Sequence, residues 1–218
     1  MPKWLETTMY RDMIFMDRSF QPATDRFFLW VDAVGGYWVC LGPEVTLGQP
    51  GAGRQADIPI LGDLSQQQAR IRRDGEGYLI EALREVRVDG RRVERLASLA
   101  DGSVIQLGPS VRLRFRRPHP LSATVRLDFL SRHRTEPSVD GVLLMADTCV
   151  LGPKAHSHVV CRDWAEEVVL YRHGDQLYCC TAAAVEIDGV RCHDRTKLTR
   201  HSRIVGDTFS LSLEAMDK

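Results

Sequence analysis

The sequence predicts an all-β protein built as two β-sandwiches in tandem, and three observations carry that expectation. Apolar runs are short and closely spaced, each bounded by Gly, Pro, Asp or Ser, as in a chain of brief strands joined by turns. Several runs alternate apolar and polar residues, as Val111-Arg112-Leu113-Arg114-Phe115 and Val125-Arg126-Leu127-Asp128-Phe129 do, and no long helical periodicity interrupts them. The same features then return in order later in the chain, the mark of an internal repeat. Gly75-Glu76-Gly77-Tyr78-Leu79 is matched 99 positions on by Gly174-Asp175-Gln176-Leu177-Tyr178, and Val88-Asp89-Gly90 at the same offset by Ile187-Asp188-Gly189. Gly102–Leu107 is expected to match Gly206–Leu211, and Gly48 to match Gly152.

Taken in order, residues 1–24 form an N-terminal arm with Met9, Met13, Ile14, Met16 and Phe20 scattered among charges. Without a clean period they read either as a segment packed on the first sandwich or as a loose end. The first sandwich spans residues 25–118. Phe27–Val31 and Tyr37–Leu41, two apolar aromatic-rich runs around Gly35-Gly36, predict a hairpin with the glycines in its turn. Val45–Leu47 follows the Gly42-Pro43 turn, and Pro50–Gln55 is too glycine-rich for regular structure. Further strands are expected within Ala56–Ile60, Leu64–Ile71, Gly77–Glu81, Val86–Val93, Leu99–Leu107 and Val111–Phe115. Pro118-His119-Pro120 ends the last of these, because proline cannot donate to a ladder, and the domain boundary is placed there. The second sandwich, residues 119–218, opens with Val125–Phe129, Val142–Met145 and Cys149–Gly152.

Length and composition bound the function. A chain of 218 residues, 44% hydrophobic and 27% charged, is large enough for one large or two ordinary packed cores. Its 29 basic and 29 acidic residues cancel, so the basic footprint of a nucleic-acid binder is absent. No run reaches the ~18 apolar residues of a membrane span. The start, Met1-Pro2-Lys3-Trp4-Leu5-Glu6, lacks the basic-then-apolar order of an export signal. The six cysteines are therefore expected to be reduced thiols of a cytoplasmic protein.

The order of features from Val45 to Leu107 resembles a forkhead-associated (FHA) domain, a sandwich that presents loops at one end to phosphothreonine peptides. The residues that carry the resemblance are Gly48 after the early strand, Asp57-Ile58, Ser65-Gln66-Gln67-Gln68-Ala69-Arg70-Ile71, the Asp89-Gly90 turn and Asp101-Gly102-Ser103-Val104-Ile105. The resemblance implies two tandem FHA-like sandwiches, the second more divergent, acting without catalysis or cofactor on a protein partner, phosphorylated or not. The family's arginine after glycine falls on Gln49, its serine on Ser65, the next arginine on Gln66 and its histidine on Gln68 or nearby. Its asparagine–glycine segment has no counterpart. Glutamine donates hydrogen bonds but brings no charge to a phosphate dianion, so the site is expected to be degenerate. The alternative is a phosphothreonine reader that uses Ser65 with Arg54, or with Arg70, in place of the missing arginines. In the second copy the matching loop, Asp163-Trp164-Ala165-Glu166-Glu167, sets acids where phosphate needs bases. Trp164 either docks a basic partner or lies buried under its own loop.

Other constellations are weaker. His156, His158 and Cys161 supply nitrogen and sulfur for a zinc site without matching a finger spacing, and they form a further alternative. Cys161 or Cys192 beside His173, His193 or His201 has the chemistry of a catalytic pair, but no nucleophile turn orders them. The first copy's arginines alternate with apolar residues, which reads as a solvated sheet face or as a surface for an acidic partner.

Overall fold

The computed structural model describes residues 26–52, 55–75, 77–119, 121–193 and 195–216. The arm expected over residues 1–24, and Arg54 among the site candidates, lie outside these. The first half of the chain forms β1 (Arg26–Val31), β2 (Gly35–Cys40), β3 (Glu44–Gly48), β4 (Ile58–Leu61), β5 (Ala69–Asp74) and β6 (Gly77–Ala82). It continues with β7 (Val86–Val88), β8 (Arg91–Arg92), β9 (Leu96–Leu99), β10 (Val104–Leu107) and β11 (Val111–Arg116). The second half forms β12 (Val125–Phe129), β13 (Arg134–Thr135), β14 (Gly141–Leu144), β15 (Thr148–Gly152), β16 (Val159–Val160) and β17 (Val168–His173). It ends with β18 (Gln176–Thr181), β19 (Val185–Ile187), β20 (Val190–Cys192), β21 (Thr196–Leu198), β22 (Arg203–Val205) and β23 (Ser210–Ala215). The expected class, all-β sandwiches, is the class observed.

The arrangement of the sandwiches differs from the expectation. One twelve-stranded sheet runs β20-β19-β22-β23-β1-β2-β14-β12-β11-β10-β7-β8 through the whole molecule. A six-stranded sheet, β13-β4-β3-β5-β6-β9, and a five-stranded one, β16-β15-β17-β18-β21, complete the two sandwiches. The boundary expected at Pro118 does not part the two cores. β12 pairs with β11, and Val125, Leu127, Val142 and Leu144 fill the first core. β1 pairs with β23, and Phe27, Leu29, Val31, Tyr37 and Val39 fill the second. Each half has thus given its opening strands to the other. β2 and β14 are parallel neighbours in which Tyr37 meets Gly141 and Cys40 meets Leu144. Such pairing of equivalent strands implies an approximate two-fold axis running along them.

The middle strands explain why their sequences are so apolar. Phe28 and Trp38 face the first core while Phe27, Leu29, Tyr37 and Val39 face the second, so both faces are buried. Strands covered on two sides read as continuous apolar runs rather than as alternation. The hairpin between β1 and β2 forms as expected, but its turn is Asp32-Ala33-Val34 rather than the glycine pair. Gly36 lies in β2 opposite Trp30, whose ring a side chain there would strike, and its N–H donates to Asp140 at 2.8 Å.

The Asp-Gly turns form as the sequence predicts. Asp89 and Gly90 have φ of 51° and 80°, and Asp188 and Gly189 have 52° and 82°, the left-handed pairs of a tight hairpin. Each aspartate also ties down the start of a later strand. Val104 N–H donates to Asp89 Oδ1 at 2.8 Å, and Arg203 N–H to Asp188 Oδ1 at 2.7 Å. Ser103 therefore corresponds to Ser202, and the expected match of Gly102–Leu107 with Gly206–Leu211 is out of register.

Candidate functional site

In the first sandwich the loops β3–β4, β4–β5 and β6–β7 converge, and buried backbone contacts hold them. The Gln49 N–H donates to Ser65 O at 3.0 Å and the Gln68 N–H to Leu47 O at 2.8 Å. Gly48 is required where these strands cross, because a Cβ there would run into the carbonyl of Gln66. Asp57 closes the base of the long loop by accepting from Thr46 N and Thr46 Oγ1 at 2.9 and 2.8 Å.

Gln68 is the brace. Only 3% exposed, its Oε1 accepts from Ser65 N–H at 3.0 Å and its Nε2 donates to Glu85 O at 2.7 Å. Its own carbonyl accepts from the N–H groups of Leu83 and Arg84 at 3.2 and 3.0 Å. One buried amide thus joins the β4–β5 loop to the β6–β7 loop. An amide can do this because it carries a donor and an acceptor on one fork.

Of the sequence candidates, Gln49, Ser65, Gln66 and Gln68 come together in this cluster. Gln66 is exposed and lies against Gly51, while Ser65 is half-buried. Arg70 does not join them. It stands on the outer face of β5, bound to Glu44 at 3.1 Å and Glu81 at 3.2 Å. Alternation dictates this, since Ala69 and Ile71 turn inward. Sequence reasoning missed Arg84, the exposed cation of the β6–β7 loop, whose Nη1 donates to Leu83 O at 2.8 Å. The signal was its place among the few residues between β6 and β7. Among the described residues the cluster therefore offers amides, a hydroxyl and one guanidinium, a set suited to polar or backbone groups more than to a dianion.

The corresponding loops of the second sandwich are built differently. Trp164 is buried and stacks on Phe209 at 4.6 Å between ring centres, so it supports its loop and docks nothing. Glu167 pairs with Lys154 at 3.1 Å, leaving Asp163 exposed.

The zinc alternative is overturned. Among the described residues no three His, Cys, Asp or Glu side chains stand where they could hold a metal ion. His158 is fully buried, and its Nδ1 accepts from Val150 N–H at 2.9 Å. Burial, with the charges of His119 and Arg126 beside it, lowers its pKa to about 4. Cys161 is buried and donates to Val159 O at 3.6 Å, and burial pushes its thiol up to about 12. Such a thiol is a core residue rather than a ligand or a nucleophile. Cys192 likewise donates to its neighbour's carbonyl, Val190 O, at 3.4 Å.

No family model and no curated protein matches this sequence. Among solved structures the chain is similar to the FHA domain of the CT664 protein from Chlamydia trachomatis. That likeness has 32% identity over 38% of this chain and 89% of the other, with a TM-score of 0.29. It is similar also to the FhaA FHA domain complexed with the intracellular domain of Rv3910, at 26% identity over 38% of this chain and 91% of the other, with a TM-score of 0.28. A longer likeness, over 88% of this chain and 98% of the other, is to the N-terminal FHA domain from EssC, a component of the bacterial Type VII secretion apparatus, at 11% identity and a TM-score of 0.24.

Proposed function

We propose that this chain is a non-catalytic, FHA-like interaction module that binds a protein partner through the loop cluster of its first sandwich, with little dependence on phosphate. The observation that carries the reading is the pairing of a buried brace with a rim of amides and a single guanidinium. Gln68 ties the loops together as a recognition surface would need, and the positions where the resemblance sets arginines hold Gln49 and Gln66, which bring no charge. A rigid loop platform lined by amides and Ser65 suits hydrogen bonding to an extended peptide.

A second reading, a phosphothreonine reader, is favoured by one observation. Arg84 is exposed beside the cluster with no carboxylate partner among the described residues, and with Ser65 it supplies a charge and a hydroxyl.

The experiment that separates the two is capture from an oriented phosphothreonine peptide library, run beside its unphosphorylated twin. The main reading expects peptides retained equally from both libraries and lost on Ser65→Ala or Gln49→Ala. Phosphate-dependent capture that vanishes with Arg84→Ala or Ser65→Ala would replace it with the second reading.

A further inference from the structure

At the end of the second sandwich away from its loops lies a cavity of about 320 Å³, lined by Leu41, Leu177, Leu198, Arg172, Lys197 and Arg200 among others. Comparison with the first sandwich explains why it is open. Tyr78 opposes Leu99 across β6 and β9, and Leu177 opposes Leu198 across β18 and β21 in the same way. Tyr78 fills its half with a buried ring set edge-on to Phe115 at 5.4 Å, its hydroxyl donating to Ala123 O at 2.7 Å. Leu177 has no ring and no polar end, and among the described residues no side chain takes the place of that ring.

Two side chains at the same place differ in charge. Ala100 N–H donates to Ser103 Oγ and Thr199 N–H to Ser202 Oγ, which makes Asp101 the counterpart of Arg200 and Ser98 that of Lys197. Asp101 pairs with Arg116 at 3.3 Å in the first sandwich. In the second, the Arg200 guanidinium lies over the Phe27 ring at 4.8 Å, and Arg172 Nη1 is fixed on Leu41 O at 2.8 Å. Lys197 is exposed and has no carboxylate partner among the described residues. Among the described residues, Asp175 shares the lining with Arg172, Lys197 and Arg200.

We propose that this cavity binds a small organic anion, a phosphate or carboxylate head on an apolar body. The leucines take the body, and Lys197 with the Arg172 guanidinium takes the head, whose charge is favoured where cations converge in a concave, partly desolvated site. This site is separate from the loop cluster and stands or falls without it.

The test titrates phenyl phosphate, benzoate and, as the neutral control, phenol into the isotope-labelled full chain. Backbone amide shifts at Lys197, Thr199 and Arg200 report binding. The expected result is saturable shifts with at least one of the two anions at a Kd of about 1 mM or tighter, with phenol much weaker. The tighter anion identifies the head group. Lys197→Ala is expected to weaken binding by about tenfold, the loss of one charge-assisted contact. Leu177→Tyr, which restores the first sandwich's filling, is expected to abolish it. Absence of saturable shifts with both anions, equal binding of phenol, or unchanged affinity in Lys197→Ala would overturn the proposal, even if Leu177→Tyr proved unable to fold.

Discussion

Cutting the chain between Pro118 and His119 tests the exchange of strands directly. A fragment ending at Pro118 keeps β1 to β11 but loses Val125, Leu127, Val142 and Leu144, all of them buried in its core. Fully burying one such side chain contributes about 1.5–3 kcal/mol, so the four together amount to about 6–12 kcal/mol. Extended-chain references make that an upper value. It still rivals the roughly 5–15 kcal/mol by which a typical whole domain is stable. The complementary fragment loses Phe27, Leu29, Val31, Tyr37 and Val39 from the second core and fares no better. Neither fragment is therefore expected to be a monomer with a sharp urea transition, whereas the two expressed together should form a 1:1 complex that unfolds cooperatively. Light scattering after size exclusion and urea unfolding monitored by tryptophan fluorescence read both outcomes. Two fragments that fold as monomers and ignore each other on mixing would refute the reasoning, for each hairpin would then have returned to its own sandwich.

Three further outcomes are expected. Gln68→Ala removes two side-chain hydrogen bonds from a buried site and should cost about 1–3 kcal/mol. In calorimetry that is a fall of roughly 3–10 °C in Tm, and a change under one degree would remove Gln68 from its bracing role. Gly48→Ala drives a methyl into the backbone of Gln66, whereas Gly152→Ala meets first the movable side chain of Glu167. The first substitution should therefore be the more damaging, by about 1–3 kcal/mol in urea unfolding, and equal losses would contradict the geometry. His158 stays neutral in the fold, with a pKa of about 4 against an ordinary 6.5. Because the unfolded chain takes up the proton first, stability is complete above pH 6.5 and is lost as pH falls from there towards 4, by about 3 kcal/mol in all. His158→Gln should flatten that part of the stability–pH curve, and a variant with an unchanged slope would assign the loss to other groups.

Much of the secondary structure is legible in the sequence because its signals are local. Asp89-Gly90 and Asp188-Gly189 can hardly be anything but left-handed turns, and Val111–Phe115 alternates as a half-buried strand must. Strand partnership is not legible in the same way. Chain order assigns the hairpin of β1 and β2 to the sandwich that follows it, yet its Phe27-Phe28-Leu29-Trp30-Val31 run does not alternate. Apolar residues on both faces mean that two cores, not one, touch it. Which half claims β1 is hidden, because both halves open with a similar apolar pair of strands and chain connectivity alone permits either assignment. Within the site, Ser65 and Gln68 are legible from their spacing to Ala69 and Ile71. Arg70 misleads because it neighbours the motif in sequence while the pleat turns it to the outer face, where Glu44 and Glu81 hold it.

The exchange has a consequence for binding. β2 and β14 run parallel, and each leads through a short turn into β3 or β15, so the loops after Gly48 and after Gly152 emerge at the same end of the molecule. A linker between independent sandwiches would leave the two loop clusters free to reorient, whereas a shared sheet fixes their spacing. The amide-lined cluster with Arg84 and the acid-bearing loop of Asp163 are then held at a fixed spacing. A partner spanning both would order less on binding than one gripping two tethered modules, which favours recognition by many modest contacts over one strong phosphate anchor. The rim of glutamines fits that mode of recognition, since rigidity can supply the affinity that a second guanidinium would otherwise provide.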